Sequence, residues 1–146
     1  MSDVYRGLAA RFADAIVDQD YEAAHALFAK GLAAAVSAYD LEDRIQGAID
    51  EVSEIIGLES AAHPGAYSVT QAPATLEELR GPRPFDPPRE IAADVTPETF
   101  RRWMRVRFTP GPGSPVEIDA WFDVWIVVVE SASVPAVGYF EIVDAD

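Results

Sequence analysis

Few side chains in this chain are of a type and spacing that can do chemistry. Histidine titrates nearest neutrality, and it occurs only at His25 and His63. His25 stands between Ala24 and Ala26 and reads as a partly buried residue on a helix face. His63 precedes Pro64 and Gly65 and has no acidic neighbour at a useful spacing. The two lie too far apart in sequence to form a metal motif. Asp40, Glu42, Asp43, Asp50, Glu51 and Glu54 spread over the exposed face of one helix and lack the loop spacing of a calcium site. The absence of cysteine excludes disulfides, thiolate metal sites and a thiol nucleophile. Ser37, Ser53 and Ser68 sit in no Gly-x-Ser-x-Gly elbow. Gly111 and Gly113 belong to a turn that opens no helix, so they cradle no phosphate. The sequence therefore offers no catalytic residue, no cofactor site and no metal site.

One constellation remains, and alternation of side chains creates it. Met104, Val106, Phe108, Ile118, Ala120, Phe122, Val124, Ile126 and Val128 share one face of the predicted strands. Trp103, Arg105, Arg107, Glu117, Asp119, Trp121, Asp123, Trp125, Val127 and Val129 share the other. A half-buried antiparallel sheet alternates in this way, so the apolar face packs against helices. A proton-shuttling site needs a titratable group within hydrogen-bond reach of its substrate, and that apolar face supplies none. The other face carries the candidate binding surface: Trp121, Trp125, Asp119, Asp123, Arg105 and Arg107. Its structural reading is a set of cross-strand ion pairs, in which Arg105 and Arg107 lie near Glu117, Asp119 or Trp121. Such pairs contribute about 0.2–1 kcal/mol each.

Three helices precede these strands. Tyr5, Leu8, Phe12 and Ile16 form one apolar stripe at spacings of three and four. The stripe breaks near Asp18-Gln19-Asp20, where Asp20 caps a second helix carrying Tyr21, Ala24, Leu27 and Phe28 and ending near Gly31. A third helix starts after Tyr39 with Asp40 as its cap. It buries Leu41, Ile45, Ala48, Ile49, Val52, Ile55 and Ile56, and Gly57 closes it.

Residues 72–97 hold Pro73, Pro82, Pro84, Pro87, Pro88 and Pro97, six of the eleven prolines. That density excludes a central strand or a long helix. The segment is an insertion or loop, either poorly ordered or held to the surface by Phe85 and Ile91. Ala66–Gln71 before it reads as a short strand, and Thr96-Pro97-Glu98 after it as the start of a one-turn helix. Residues 110–115 are a turn, Val116–Glu130 one long strand, Ser131–Pro135 the next turn, and Val137–Val143 the last strand. A strand as long as residues 116–130 must bend, with a bulge near Asp119–Asp123. Short turns make the pairing antiparallel. The expected fold is α+β, a single domain over 1–146, with N-terminal helices in the concave face of a bent antiparallel sheet, a cone.

Charge narrows the partners. Twenty-five acidic against eleven basic residues leave a net charge of −14. Nucleic-acid binding rests on neutralising phosphates with Lys and Arg, so neither nucleic acid nor an anionic membrane surface is expected. Met1-Ser2-Asp3-Val4 lacks the basic start of a signal peptide. The most apolar run, Trp121–Val129, is far short of the roughly 20 residues that span a bilayer. A cytoplasmic protein is expected.

The segment Phe12-Ala13-Asp14-Ala15-Ile16-Val17-Asp18-Gln19-Asp20-Tyr21-Glu22-Ala23-Ala24-His25-Ala26-Leu27-Phe28 resembles the opening of the nuclear-transport-factor-2-like superfamily, also called cystatin-like α+β cones. The helix from Leu41 and the terminal strands extend the resemblance over the chain outside the proline-rich segment. It implies the cone fold but does not choose a function. Its members include isomerases, cyclases, ligand binders, transport adaptors and immunity proteins. The leading expectation is a non-catalytic acidic binding or regulatory protein, of which an immunity-like role is one version. It forms a homodimer through Trp121, Trp125, Val127 and Val129, rimmed by Asp119, Asp123, Arg105 and Arg107, and has a basic protein or a small apolar ligand as further partner. One alternative is an isomerase or cyclase with Asp119 or Asp123 as base and Tyr21, Tyr39 or Tyr67 as hydrogen-bond donor. Another is a structural homodimer whose pocket is filled by its own side chains.

Overall fold

The structure, a computed structural model, describes residues 4–55, 66–72, 95–96, 98–109 and 122–144. Helix α1 (Val4–Val17) buries Leu8, Ala9, Phe12, Ala13, Ala15 and Ile16, the stripe expected from its periodicity. Its end is set by Gln19, which takes the left-handed conformation at φ 60°. The Asp20 N–H then donates to the Ala15 carbonyl at 2.8 Å and the Gln19 N–H to that of Ile16 at 3.1 Å. These two bonds are the Schellman pattern that satisfies the last carbonyls of a helix. Asp20 immediately caps α2 (Tyr21–His25), its carboxylate accepting from the Ala23 N–H at 3.1 Å.

The second predicted helix is in fact two. A further helix, α3, covers Lys30–Ala35 and contains Gly31, which therefore does not end a helix. The interruption has a cause elsewhere in the chain. The Ala29 N–H donates to the Val137 carbonyl at 2.7 Å, and the Val137 N–H to that of Leu27 at 2.8 Å. Those tertiary bonds stop the helix after a turn at Ala26–Leu27 and leave Ala29 extended at φ −64° and ψ 160°. Helix α4 (Ala38–Ile55) starts at Ala38, not after Tyr39. The Asp40 N–H donates to the Ser37 hydroxyl and the Ser37 N–H to the Asp40 carboxylate, both at 3.1 Å. Ser37 is thus the cap and Asp40 its reciprocal partner. Leu41, Ile45 and Ile49 are buried, one turn apart.

Strands β1 (Ala66–Ala72), β2 (Phe100–Thr109), β3 (Phe122–Ser131) and β4 (Val134–Asp144) form one antiparallel sheet in the order β1-β2-β3-β4. From Thr96 the described residues make a single turn, the Thr96 carbonyl accepting from the Thr99 and Phe100 N–H groups at 3.2 and 2.9 Å. Thr96 and Thr99 also exchange hydroxyl bonds to each other's N–H, at 2.9 and 3.2 Å, and the turn leads into β2. The β3–β4 hairpin is tighter than predicted, because Ser131 already pairs with Val134. Ala132 and Ser133 take φ of 52° and 65°, and two left-handed central residues match the twist of flanking strands.

The sheet curls without closing, and the helices occupy its concave face. Two bulges bend it. Arg101 is the extra residue of β2, between Phe100↔Val129 and Arg102↔Val128. Gly138 is the extra residue of β4, between Val127↔Tyr139 and Val128↔Val137. Both lie beside Val127–Val129 of β3, whereas Phe122 and Asp123 pair regularly with Phe108 and Arg107. The expected bulge over Asp119–Asp123 is therefore absent at its described end. Residues 73–94, 110–121 and Gly57 lie outside the described residues, and with them the deeper part of the proline-rich segment and the first part of the predicted long strand.

The core sits between helices and sheet. Met104, Val106, Phe108, Phe122, Val124, Ile126 and Val128 are all buried there against α1, α3 and α4, as alternation requires. Phe12, Phe28 and Phe140 stack in series, with ring centroids 6.4 and 5.5 Å apart. Among the described residues no helix is long and apolar enough to cross a membrane.

Candidate functional site

The cross-strand register defines the convex face of the sheet row by row. Ser68, Arg107, Asp123 and Val143 align across the four strands; so do Thr70, Arg105, Trp125 and Glu141. A third row holds Ala72, Trp103, Val127 and Tyr139. Of the predicted surface, Trp125, Asp123, Arg105 and Arg107 are thus brought together. Trp121 and Asp119 lie outside the described residues. The arginines meet residues further along β3 than expected: Arg107 opposes Asp123, and Arg105 opposes Trp125. The parity is the predicted one, so the same face is built from different pairs.

Asp123 does not form a solvated rim. It is 3% exposed, and Arg107 donates to its two carboxylate oxygens at 2.8 and 3.0 Å. A bidentate guanidinium–carboxylate fork is the geometry that offsets the cost of burying both charges. Asp123 faces away from the concave core, so it does not line the cone interior. Beside this pair, the rings of Trp103 and Trp125 lie 4.7 Å apart between centroids, and the Arg105 guanidinium sits 5.8 Å from the Trp125 ring. Both tryptophans and Arg105 are half-buried.

The valines of this face are not open to water. Val127 and Val129 are buried against Val95, Tyr139, Phe100, Trp103, Ala29 and Ala136. Val95 belongs to the 72–97 stretch, so the described end of that segment covers the two valines. Gly138 makes the close approach possible. A Cβ there would stand 2.7 Å from a Val129 methyl and 3.2 Å from a Val95 methyl.

The remaining candidates are accounted for by local geometry. The His25 Nε2 lies 2.8 Å from the Val36 carbonyl and 3.2 Å from that of Ala33. Carbonyls only accept, so Nε2 carries the proton and His25 ties α2 to the end of α3. The Tyr67 hydroxyl donates to Asp14 at 2.7 Å, which pushes its pKa up. Tyr39 is exposed. The Tyr21 hydroxyl is buried with no hydrogen-bond partner among the described residues, and burial, then the Glu42 charge, pushes its pKa up. None of these tyrosines faces Asp123. Among the described residues no three His, Cys, Asp or Glu side chains gather as metal ligands.

A recess opens between α4 and β4. It measures about 460 Å³ and is lined by Arg44, Gly47, Ala48 and Glu51 of α4 with Tyr139, Phe140, Glu141 and Ile142 of β4. One pointer to it is legible in the sequence, since Glu141 is the sole charged residue between Val137 and Val143. Trp103 shares the parity of Arg105 and Arg107 but was left out of the predicted surface.

Comparison of the chain with protein-family models, with curated proteins and with solved structures returned no match. What defines the protein is therefore its α+β architecture and the two surfaces just described.

Proposed function

We propose that the chain is a non-catalytic acidic binding or regulatory protein of the cone fold, and that the resemblance to nuclear-transport-factor-2-like proteins reflects membership of that superfamily. The order of helices followed by a curled antiparallel sheet supports the membership. One observation carries the functional reading. The concave face, where a cone enzyme would hold its substrate, is filled by the chain's own side chains, including Phe12, Phe108, Phe122, Leu8 and Ile16, each fully buried. Polar and charged groups lie on the convex face and at the β4 edge instead. A net charge of −14 favours a basic protein as partner.

Methyl NMR tests the reading. The protein is titrated with a panel of small apolar ketones, of the kind an isomerase or cyclase would accept. The methyls of Val124, Ile126 and Val128 are expected to stay unshifted. Saturable shifts there would overturn the reading and favour the enzyme.

A homodimer through the convex face is the second part of the proposal. The half-buried pair Trp103–Trp125, flanked by Arg105, favours it. Because Val95 already covers Val127 and Val129, the contact centres on Trp125. Sedimentation of the wild type is expected to give a dimer and of Trp125→Asp a folded monomer. A wild type that is monomeric at micromolar concentration refutes it.

A further inference from the structure

An edge strand presents unpaired N–H and C=O groups that template another strand. β4 is such an edge, the last strand of an unclosed sheet. The chain already uses this edge once. Residues 27–29 pair with it in parallel at Val137, through the bonds at 2.7 and 2.8 Å described above. Beyond the Gly138 bulge the edge continues along Tyr139–Ile142, and there it borders the recess of about 460 Å³. The opposite wall is one face of α4, since Arg44, Gly47, Ala48 and Glu51 are spaced by three, four and seven. That wall is low. A Cβ at Gly47 would meet nothing within 4 Å.

The charges in the recess are unequal. Arg44 lies over the Phe140 ring at 5.8 Å from its centroid. Glu51 is exposed on α4. Glu141 is half-buried, burial pushes its carboxyl up, and it makes no hydrogen bond or ion pair among the described residues. A partly desolvated carboxylate without a counterion is a standing cost, and a cation brought beside it removes that cost.

We propose that the recess between α4 and β4 receives an extended segment of a partner protein, added to β4 as a further strand, with a lysine or arginine of that segment against Glu141. Main-chain bonds to the edge supply affinity, and the alternate side chains supply specificity. The net charge of −14 draws a basic segment toward the surface, and Glu141, on the convex side of the edge, fixes where its cation settles. This docking mode rests on the reading of the chain as an acidic binding protein. The competing role of Glu141 is to keep the edge from pairing with other copies, since charged residues on edge strands do that.

The test uses the full chain, 15N-labelled, titrated with a blocked heptapeptide of alternating valine and lysine. The control is the same peptide with glutamate for lysine. The lysine peptide is expected to shift the Tyr139–Ile142 amides and slow their exchange, while the glutamate peptide binds at least tenfold more weakly. Glu141→Gln is expected to weaken the lysine peptide about fivefold or more. Gly47→Leu, which fills the recess from an exposed helix position, is expected to do the same with the fold intact by circular dichroism. Equal binding of both peptides, unshifted β4 amides, or unchanged affinity in both variants overturns the proposal. If Glu141→Gln self-associates in sedimentation with its peptide affinity unchanged, Glu141 guards the edge and the docking role falls. The ketone titration decides the underlying reading separately. Silent core methyls with no β4 response remove this docking mode alone, whereas shifted core methyls remove the binding reading itself.

Discussion

Removing Arg107 isolates the convex-face ion pair. Asp123 is 3% exposed and accepts both nitrogens of the Arg107 fork, whereas the Arg107 side chain keeps 27% of its surface in water. The two partners are therefore not equivalent. Arg107→Met leaves a carboxylate inside the protein without its fork, and breaking a buried pair in this way costs about 3–5 kcal/mol. Domains of this size are stable by about 5–15 kcal/mol, so the variant loses about a fifth or more of its stability. With a urea slope of about 2 kcal/mol per molar, the unfolding midpoint falls by about 2 M. Arg107→Met/Asp123→Leu removes both charges and their desolvation. It is expected to recover most of the loss, or to exceed the wild type. Urea unfolding followed by tryptophan fluorescence and by far-ultraviolet dichroism measures all the variants, and coincident transitions establish that two states suffice. A midpoint shift below about 0.4 M for Arg107→Met would place the pair among ordinary surface salt bridges, worth about 0–1 kcal/mol. The assignment of Asp123 to a buried position would then be wrong.

Gly138→Ala pushes a methyl to 2.7 Å from a Val129 side-chain carbon, so overpacking is expected to cost about 1–3 kcal/mol by urea unfolding, and Val129→Ala in the same chain to relieve part of it. Ser37→Ala removes one arm of the α4 capping box and is expected to cost about 1 kcal/mol, read from the thermal midpoint. The Asp40 carboxyl is held below its usual range, first by the Ser37 backbone N–H, so its contribution is present at neutral pH and is lost as pH falls through its folded value. Glu141 runs the other way. Burial raises its carboxyl, so its charged form weakens the fold, and its share of stability is full below the unfolded value and lost as pH rises through the folded one. Glu141→Gln is expected to raise the melting temperature at pH 7 and leave it unchanged near pH 3.5, and equal midpoints at pH 7 would contradict the burial of that carboxyl.

The parts of the fold legible in the sequence were those controlled by local periodicity. Leu8, Phe12 and Ile16 stand one turn apart, and Met104, Val106 and Phe108 two residues apart, so both faces were readable without knowing the partner. The single strand register was not. Arg107 has several acidic candidates across the turn, all of the correct parity, and parity alone cannot separate Asp119 from Asp123. Burial of Asp123 was invisible for the same reason, because it depends on which arginine arrives opposite. The break between α2 and α3 also had no local signal. Ala26-Leu27-Phe28-Ala29 continues a helical pattern acceptably. It is interrupted at Phe28–Ala29 by bonds to Val137, more than a hundred positions away.

Gly138 ties these observations together. A strict period of two puts Val137 on the same face as Tyr139 and Glu141. The bulge reverses the parity of the residues before it, so Val137 turns into the core with Phe28 and Phe140, Ala136 turns to the convex side, and Tyr139 stays there. The reversal also turns the Val137 backbone outward to residues 27–29, and this is what splits α2 from α3. The same glycine lets Val129 and Val95 approach closely enough to seal the lower convex face. A side chain at this position would therefore act on three places at once: the helix break, the Val95 cover and the bend of the sheet. Past the bulge β4 resumes its alternation beside α4, with no segment like 27–29 paired to it among the described residues. The bend that completes the core thus also fixes where β4 resumes its regular pairing beside α4.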